Sequence, residues 1–425
     1  MENAKKLGLW SIILLGINGV IGSGIFLLPG KAYGLFGPNS IWIYVFDTIL
    51  VLSIALCFAE TGGMFDKTGG PYIYAKEAFG DFVGFEVGIM KWAISIIAWA
   101  TMAVGFATAL SVFWPSAATG TLKNIIAISI IVVLGIVNYF GVDITKYLNN
   151  IVTVAKLLPL LIFVIVGIFF IKGSNFVPAA PVDTAANLGP ALILVFYAFT
   201  GFESLAVAAG DMDNPKKNVP IALMITMILA SVIYILTQAV AIGTLGPALA
   251  NTTAPVADSA RVFMGSFGVG LITIGTLISI GGINVAGSFN TPRSGVALAE
   301  GGILPMAIAK KSKYGTPYIA IIITVLLAIP LVLTGGFVKL AMISVISRFA
   351  QYIPTSLAVL VLRKRKDLPS TFRIPFGPVI PIASVVVSLW LLTKASSEQI
   401  IWGLGGLIIG IPLYFILKYT IKAEK

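Results

Sequence analysis

Histidine is absent from this 425-residue sequence, and cysteine occurs once, at Cys57. Those absences exclude a disulfide framework, Cys/His metal sites and histidine proton relays. Charge is scarce too: 11% of residues are Asp, Glu, Lys or Arg, against about 25% in a soluble protein. A membrane-embedded enzyme would need clustered His, Asp or Cys ligands inside its apolar stretches, and the sequence has none. Ser-rich, acidic and repeat-bearing tails are also missing, so residues 1–425 read as one integral domain without a soluble catalytic module. No metal or cofactor is expected.

What the sequence has is apolar length. Hydrophobic residues make up 58% of the chain and the mean hydropathy is +1.01. Apolar runs of about 20 residues recur, each long enough to cross a hydrocarbon core of ~30 Å as a helix. They lie near Leu9 to Pro29, Ser40 to Gly63, Phe85 to Trp114, Asn124 to Gly141, Leu148 to Ile171 and Leu188 to Ala209. A second set lies near Val219 to Leu245, Gly268 to Asn290, Pro317 to Leu333, Phe337 to Leu362, Val379 to Leu392 and Ile400 to Leu417. The expected fold class is therefore all-α integral membrane, with about twelve transmembrane helices in a lipid bilayer. The first run meets no small-residue cleavage site before Pro29-Gly30-Lys31 and is expected to be a retained helix. Trp10, Trp42 and Trp402, near span ends, read as interfacial anchors.

The net charge of +11 is distributed unevenly. With a cytoplasmic N-terminus, Lys5, Lys6, Lys67, Lys76, Lys146, Lys216, Lys217, Arg293, Lys310, Lys311, Lys313, the Arg363–Arg373 basic cluster, Lys418, Lys422 and Lys425 fall inside. Only Lys31, Lys123, Lys172, Arg261, Lys339 and Lys394 fall outside. This asymmetry follows the positive-inside rule for twelve spans with both termini cytoplasmic in a cell membrane. The charge thus reports topology, and nucleic-acid binding is not needed to explain it.

Two spans are interrupted. The first carries Asn18-Gly19-Val20-Ile21-Gly22-Ser23-Gly24-Ile25-Phe26 near mid-depth, and the sixth carries Phe196-Tyr197-Ala198-Phe199-Thr200-Gly201-Phe202-Glu203. Glycine loses more backbone freedom on ordering than any other residue, so both segments are expected to unwind. Backbone polar groups released inside a membrane persist only where protein or a water-filled cavity satisfies them. Breaks in the first and sixth helices match two inverted five-helix repeats around a central site, a transporter arrangement. Repeat one would cover about 9–172 and repeat two about 188–362, with two extra helices over about 379–417. The plainer alternative is that small residues let the helices pack closely.

These features, taken with the loops, resemble the amino acid/polyamine/organocation (APC) superfamily of permeases over nearly the whole chain. Gly22-Ser23-Gly24-Ile25-Phe26 leading to Pro29 is similar to its first-helix substrate loop. Glu60-Thr61-Gly62-Gly63 to Gly69-Gly70-Pro71-Tyr72-Ile73-Tyr74 resembles its segment between helices two and three. Asn214-Pro215-Lys216-Lys217-Asn218-Val219-Pro220 looks like the loop after helix six, and Arg293 through Pro305 with Tyr314-Gly315-Thr316-Pro317 like the loop after helix eight. Glu300-Gly301-Gly302 departs from the commoner acidic-glycine ending there. The resemblance implies alternating access on a five-plus-five core, with an amino acid as substrate.

Under that resemblance the first break, Ile21, Gly22, Ser23, Gly24 and Ile25, binds substrate. The NH groups of Ser23, Gly24 and Ile25 would meet the carboxylate at the positive end of a helix dipole. Carbonyls near Ile17 to Val20 and Phe199 to Thr200 would take the α-ammonium. Tyr197 aligns with an aromatic over the substrate, or is an ordinary core aromatic. Ser95, Trp99 and Gly287 align with lining positions, or pack helices; the missing side chain at Gly287 would leave room for a larger substrate.

Ionisable residues within spans are functional candidates because burying them is expensive. Lys156 resembles a family lysine that stands where sodium-coupled relatives bind sodium, bracing helix five against helices one and eight. It could also load and release a proton, or snorkel to the interface. Glu203 follows the second break and could hold the unwound loop, exchange a proton, or remain a structural acid. Arg348 could face the outer pathway or pair with an acid, and Asp47 reads mainly as an interior packing partner. The expected function is amino acid transport of neutral substrates by proton-coupled symport or exchange. The alternatives are a cationic amino acid or polyamine substrate, a membrane sensor, or a channel. The sequence does not specify the oligomeric state.

Overall fold

The computed structural model describes residues 6–66, 69–141, 145–178, 184–207, 209–368 and 371–423. Lys5, Lys67 and Lys425 of the basic set lie outside these residues. The described residues form sixteen α-helices and no sheet. The first eight are α1 (Leu9–Val20), α2 (Ser23–Leu27), α3 (Pro29–Phe36), α4 (Ser40–Gly62), α5 (Pro71–Phe79), α6 (Asp81–Leu110), α7 (Gly120–Tyr139) and α8 (Thr145–Gly167). Then come α9 (Thr184–Phe196), α10 (Glu203–Val207), α11 (Pro215–Leu245), α12 (Pro255–Glu300), α13 (Tyr318–Leu333), α14 (Phe337–Leu362), α15 (Val379–Thr393) and α16 (Ser397–Ala423).

Among the described residues, seven helical stretches are long and apolar enough to cross a membrane, and five shorter apolar helices overlap the remaining expected spans. Proline opens α3, α5, α11 and α12, where its missing N–H has no intrahelical partner to lose. The first span does not stop at Pro29, as the apolar run suggests. Leu28 keeps right-handed helical angles, so α2 runs on into α3 and ends at Gly37. Helix α12 bends at Gly265 (φ 60°, ψ −147°), which separates a short arm from the membrane-length part.

Helices α4, α6, α11, α12 and α14 form the centre: α6 packs on α12 and α14, α11 on α4, and α8 on α12. Helices α7 and α16 are peripheral, each with only 17% of its apolar window buried. Trp10, Trp42 and Trp402 are exposed, as anchors would be.

Between α4 and α5 the Gly69-Gly70 turn grips the second half of the broken sixth helix. The Gly69 N–H donates to the Val207 carbonyl at 3.2 Å. Gly70 has φ +50°, and a Cβ there would come 3.1 Å from the backbone of Ala206 and Val207. The N-terminal strand of chain is held at the same end, where the Asp213 N–H donates to the Leu7 carbonyl at 2.9 Å.

Candidate functional site

Helix α1 ends at Val20, Ile21 is extended (φ −76°, ψ 101°), and Gly22 takes φ −134°, ψ −149° before α2 begins at Ser23. No side chain caps α2, so its first-turn N–H groups lie at the break with no side-chain acceptor. The second break is similar in form. Helix α9 tightens into a 3-10 turn over Tyr197–Phe199, Thr200 is extended, and Gly201, at φ 111°, turns the chain into α10.

The two breaks lie against one another. Gly201 packs on the Gly19 carbonyl, and a Cβ at Gly24 would come 2.6 Å from the Cα of Ala198. Close backbone approach is therefore what both glycines permit. Tyr234 of α11 spans the junction: its hydroxyl donates to the carbonyls of Val20 and Ala198, each at 3.0 Å. One proton serves both acceptors. The Tyr234 ring is edge-on to Phe199, with centroids 5.0 Å apart, so Phe199 faces α11 and Tyr44 of α4.

Lys156 enters the first break from α8. Its fully buried ammonium donates to the carbonyls of Asn18 and Ile21, both at 2.7 Å. Carbonyl oxygens freed by unwinding thus surround one positive charge supplied by the chain. Several carbonyls expected to receive a substrate ammonium already hold a donor: Ile17 from the Ile21 N–H, Asn18 from Lys156, and Val20 from Tyr234. Among the described residues no donor reaches the carbonyls of Phe199 and Thr200.

Ser23, Gly24, Ile25, Tyr197, Phe199 and Thr200 are all buried, as are Ile21 and Gly22. The hydroxyls of Ser23 and Tyr197 lie 3.2 Å apart, and Ser23 Oγ is 3.4 Å from the Met102 sulfur. Phe337 of α14 stands edge-on to Tyr197, with centroids 5.6 Å apart, and its ring would lie 3.2 Å from a Cβ at Gly105. A Cβ at Gly22 would meet Ile283 at 3.0 Å and Met102 at 3.3 Å. The break is therefore walled by α6, α12 and α14.

Gly287 differs from expectation. A Cβ there would come 2.9 Å from Trp99 Cδ1, so the indole occupies the space that a missing side chain seemed to leave. Trp99 is buried, and its Nε1 has no partner among the described residues. Ser95 donates to the carbonyl of Lys91 in its own helix at 3.0 Å.

Glu203, at the start of α10, is fully engaged. One oxygen accepts from Arg348 Nε at 2.9 Å; the other accepts from the Gly201 N–H at 2.9 Å and the Tyr352 hydroxyl at 3.0 Å. Arg348 also donates to the Ser344 carbonyl at 2.9 Å. Of its two possible roles, Arg348 thus takes the acid partner. The arrangement links the second break to α14.

The profile of the amino acid permease family matches residues 7–417. The chain belongs to that family. An uncharacterized transporter of Mycobacterium tuberculosis is 33% identical over 98% of this chain and 92% of its own length. The branched-chain amino acid permease BcaP of Bacillus subtilis is 28% identical over 99% of this chain and 94% of its own. The serine/threonine exchanger SteT of the same organism is 29% identical over 97% of each. The chain is thus a multi-pass membrane permease of the amino acid class, not an enzyme.

Four residues around the permease's breaks escape the sequence reading. Met102, Tyr234 and Phe337 carry no signal that separates them from other apolar or aromatic positions. Lys91 does: it is an ionisable residue within α6, half-buried and within electrostatic reach of Glu203 and Arg348. The rule that singles out Lys156 applies to it equally.

Proposed function

We propose that this permease carries neutral amino acids across the cell membrane by alternating access, with both termini cytoplasmic and two inverted five-helix repeats around the paired breaks. The observation that carries the reading is the pair of unwound backbones in contact, with N–H groups on α2 that no side chain caps and carbonyls at Phe199 and Thr200 that no donor reaches among the described residues. N–H donors suit a carboxylate and carbonyls suit an ammonium, so the backbone recognises what all amino acids share. A cationic side chain would need a free carboxylate, and Glu203, the acid at the second break, already faces Arg348. That engagement supports neutral substrates; the acid that a cationic substrate would have to reach is the buried Asp47 of α4, unpartnered among the described residues. The Lys156 ammonium supplies positive charge to the Asn18 and Ile21 carbonyls, which supports transport without sodium, driven by protons or by exchange.

Uptake of labelled amino acids into proteoliposomes, with and without an inward proton gradient and with and without internal substrate, tests this. Gradient-driven accumulation in empty vesicles means symport; uptake only against internal substrate means obligatory exchange. A strict sodium requirement, or uptake restricted to cationic substrates, overturns the reading.

A further inference from the structure

At the ends of α4 and α14 opposite the Ser40 and Phe337 termini lies a cavity of about 230 Å³ that the transport reading does not use. With a water's share of liquid volume near ~30 Å³, it has room for several waters or for a phosphodiester. Four of its lining residues are cationic, namely Arg363, Arg365, Lys366 and Arg373, and one is acidic, Glu60. Met64 and Leu368 supply apolar wall.

The charges are not equally committed. Glu60, buried at the end of α4, holds Arg363 in a two-pronged pair at 2.6 Å and 2.6 Å and accepts the Ile374 N–H at 2.8 Å. Arg365 is held at the rim by Glu77 and Asp367. Lys366 and Arg373 are exposed, and among the described residues neither has a carboxylate within ion-pair distance. An anion entering the cavity meets these two cations, and the one carboxylate among the described lining residues is already neutralised.

We propose that this pocket binds a phosphate group, and that its source is the headgroup of an anionic phospholipid. The chemistry fits a phosphate because Arg and Lys donors converge on a small polar space beside apolar wall. Its position favours a lipid. The cavity sits where two membrane-length helices end, which is headgroup depth, on the face whose basic excess suits an anionic leaflet. The Glu60-Thr61-Gly62-Gly63 stretch thus gains a role in building the pocket through the Glu60–Arg363 pair. The inference is independent of which substrate is carried.

The full chain in neutral detergent, supplied with phosphatidylglycerol, phosphatidylcholine or inorganic phosphate, tests it through bound lipid in native mass spectrometry and through the unfolding temperature. Phosphatidylglycerol is expected to stay bound and raise the unfolding temperature, and phosphatidylcholine is not. The double variant Lys366→Gln/Arg373→Gln, at exposed side chains, is expected to lose at least tenfold in retention. Lys310→Gln/Lys311→Gln, an equal charge loss in another loop, is expected to retain lipid as the parent does. Where the first pair fails to fold, the single variants are read instead. Equal retention in both double variants, or none in the parent, overturns the site. A temperature rise with inorganic phosphate, lost in Lys366→Gln/Arg373→Gln and unmatched by lipid retention, keeps the phosphate site but overturns the lipid as its source.

Discussion

The Lys156 ammonium lies 2.7 Å from the carbonyl oxygen of Ile21, the residue at which the first helix unwinds. A buried acceptor left without its donor costs about 1–3 kcal/mol, and Lys156→Met strips two at once, at Asn18 and Ile21. The variant is expected to lower the unfolding temperature and to cut proteoliposome uptake at least tenfold. Parent uptake should be the same in sodium and in choline buffer. Sodium-dependent parent uptake would mean that the ammonium does not stand in for a cation.

Glu203 and Arg348 make a second, separable prediction. Removing one partner of a buried ion pair costs about 3–5 kcal/mol, whereas replacing both by apolar groups is often neutral. Glu203→Gln alone strands the Arg348 guanidinium within α14, so it should destabilise the protein more than Glu203→Leu/Arg348→Met does. Thermal unfolding followed by size-exclusion chromatography compares them. A double variant that melts as low as Glu203→Gln would show that the Gly201 and Tyr352 contacts, not the charge pair, carry the stability.

The broken helices were legible because glycine and polar residues interrupt the first and sixth apolar runs and the breaks fall inside those runs, although the comparable Gly281-Gly282-Ile283-Asn284 cluster of the eighth run stays helical within α12. Lys156 and Glu203 were legible by the same logic of cost, and Lys91 should have been. Their partners were not. Lys156 acts on backbone carbonyls, which have no sequence signature, and the reach of the Tyr234 hydroxyl to Val20 and Ala198 depends on how α11 crosses the junction. Gly287 shows the converse limit. A missing side chain reads as space in one dimension, and only packing reveals that Trp99 fills it.

Tyr234→Phe isolates the shared hydroxyl, since the ring keeps its edge contact with Phe199. Two carbonyls at the junction lose their donor, and the two breaks lose their common tether. Stability should fall by roughly 1–3 kcal/mol, with a several-fold loss in maximal uptake rate. Initial-rate uptake and thermal unfolding measured on one preparation check both. An unchanged rate would mean that the Gly19–Gly201 and Gly24–Ala198 contacts suffice to hold the breaks together.

Gly287→Ala tests whether Trp99 lines the substrate site or only packs helices. The added methyl would sit 2.9 Å from Trp99 Cδ1, and a rigid indole can relieve that only by shifting as a body. If the indole borders the substrate, the shift moves a wall: KM should rise about fivefold for leucine-sized substrates, an effect of ~1 kcal/mol, and less for serine-sized ones. KM values across a size series of neutral amino acids decide it. A uniform fall in maximal rate with unchanged KM ratios would assign Trp99 to the α6–α12 interface, and side-chain selection would then fall to Met102, Ile283 and Phe337.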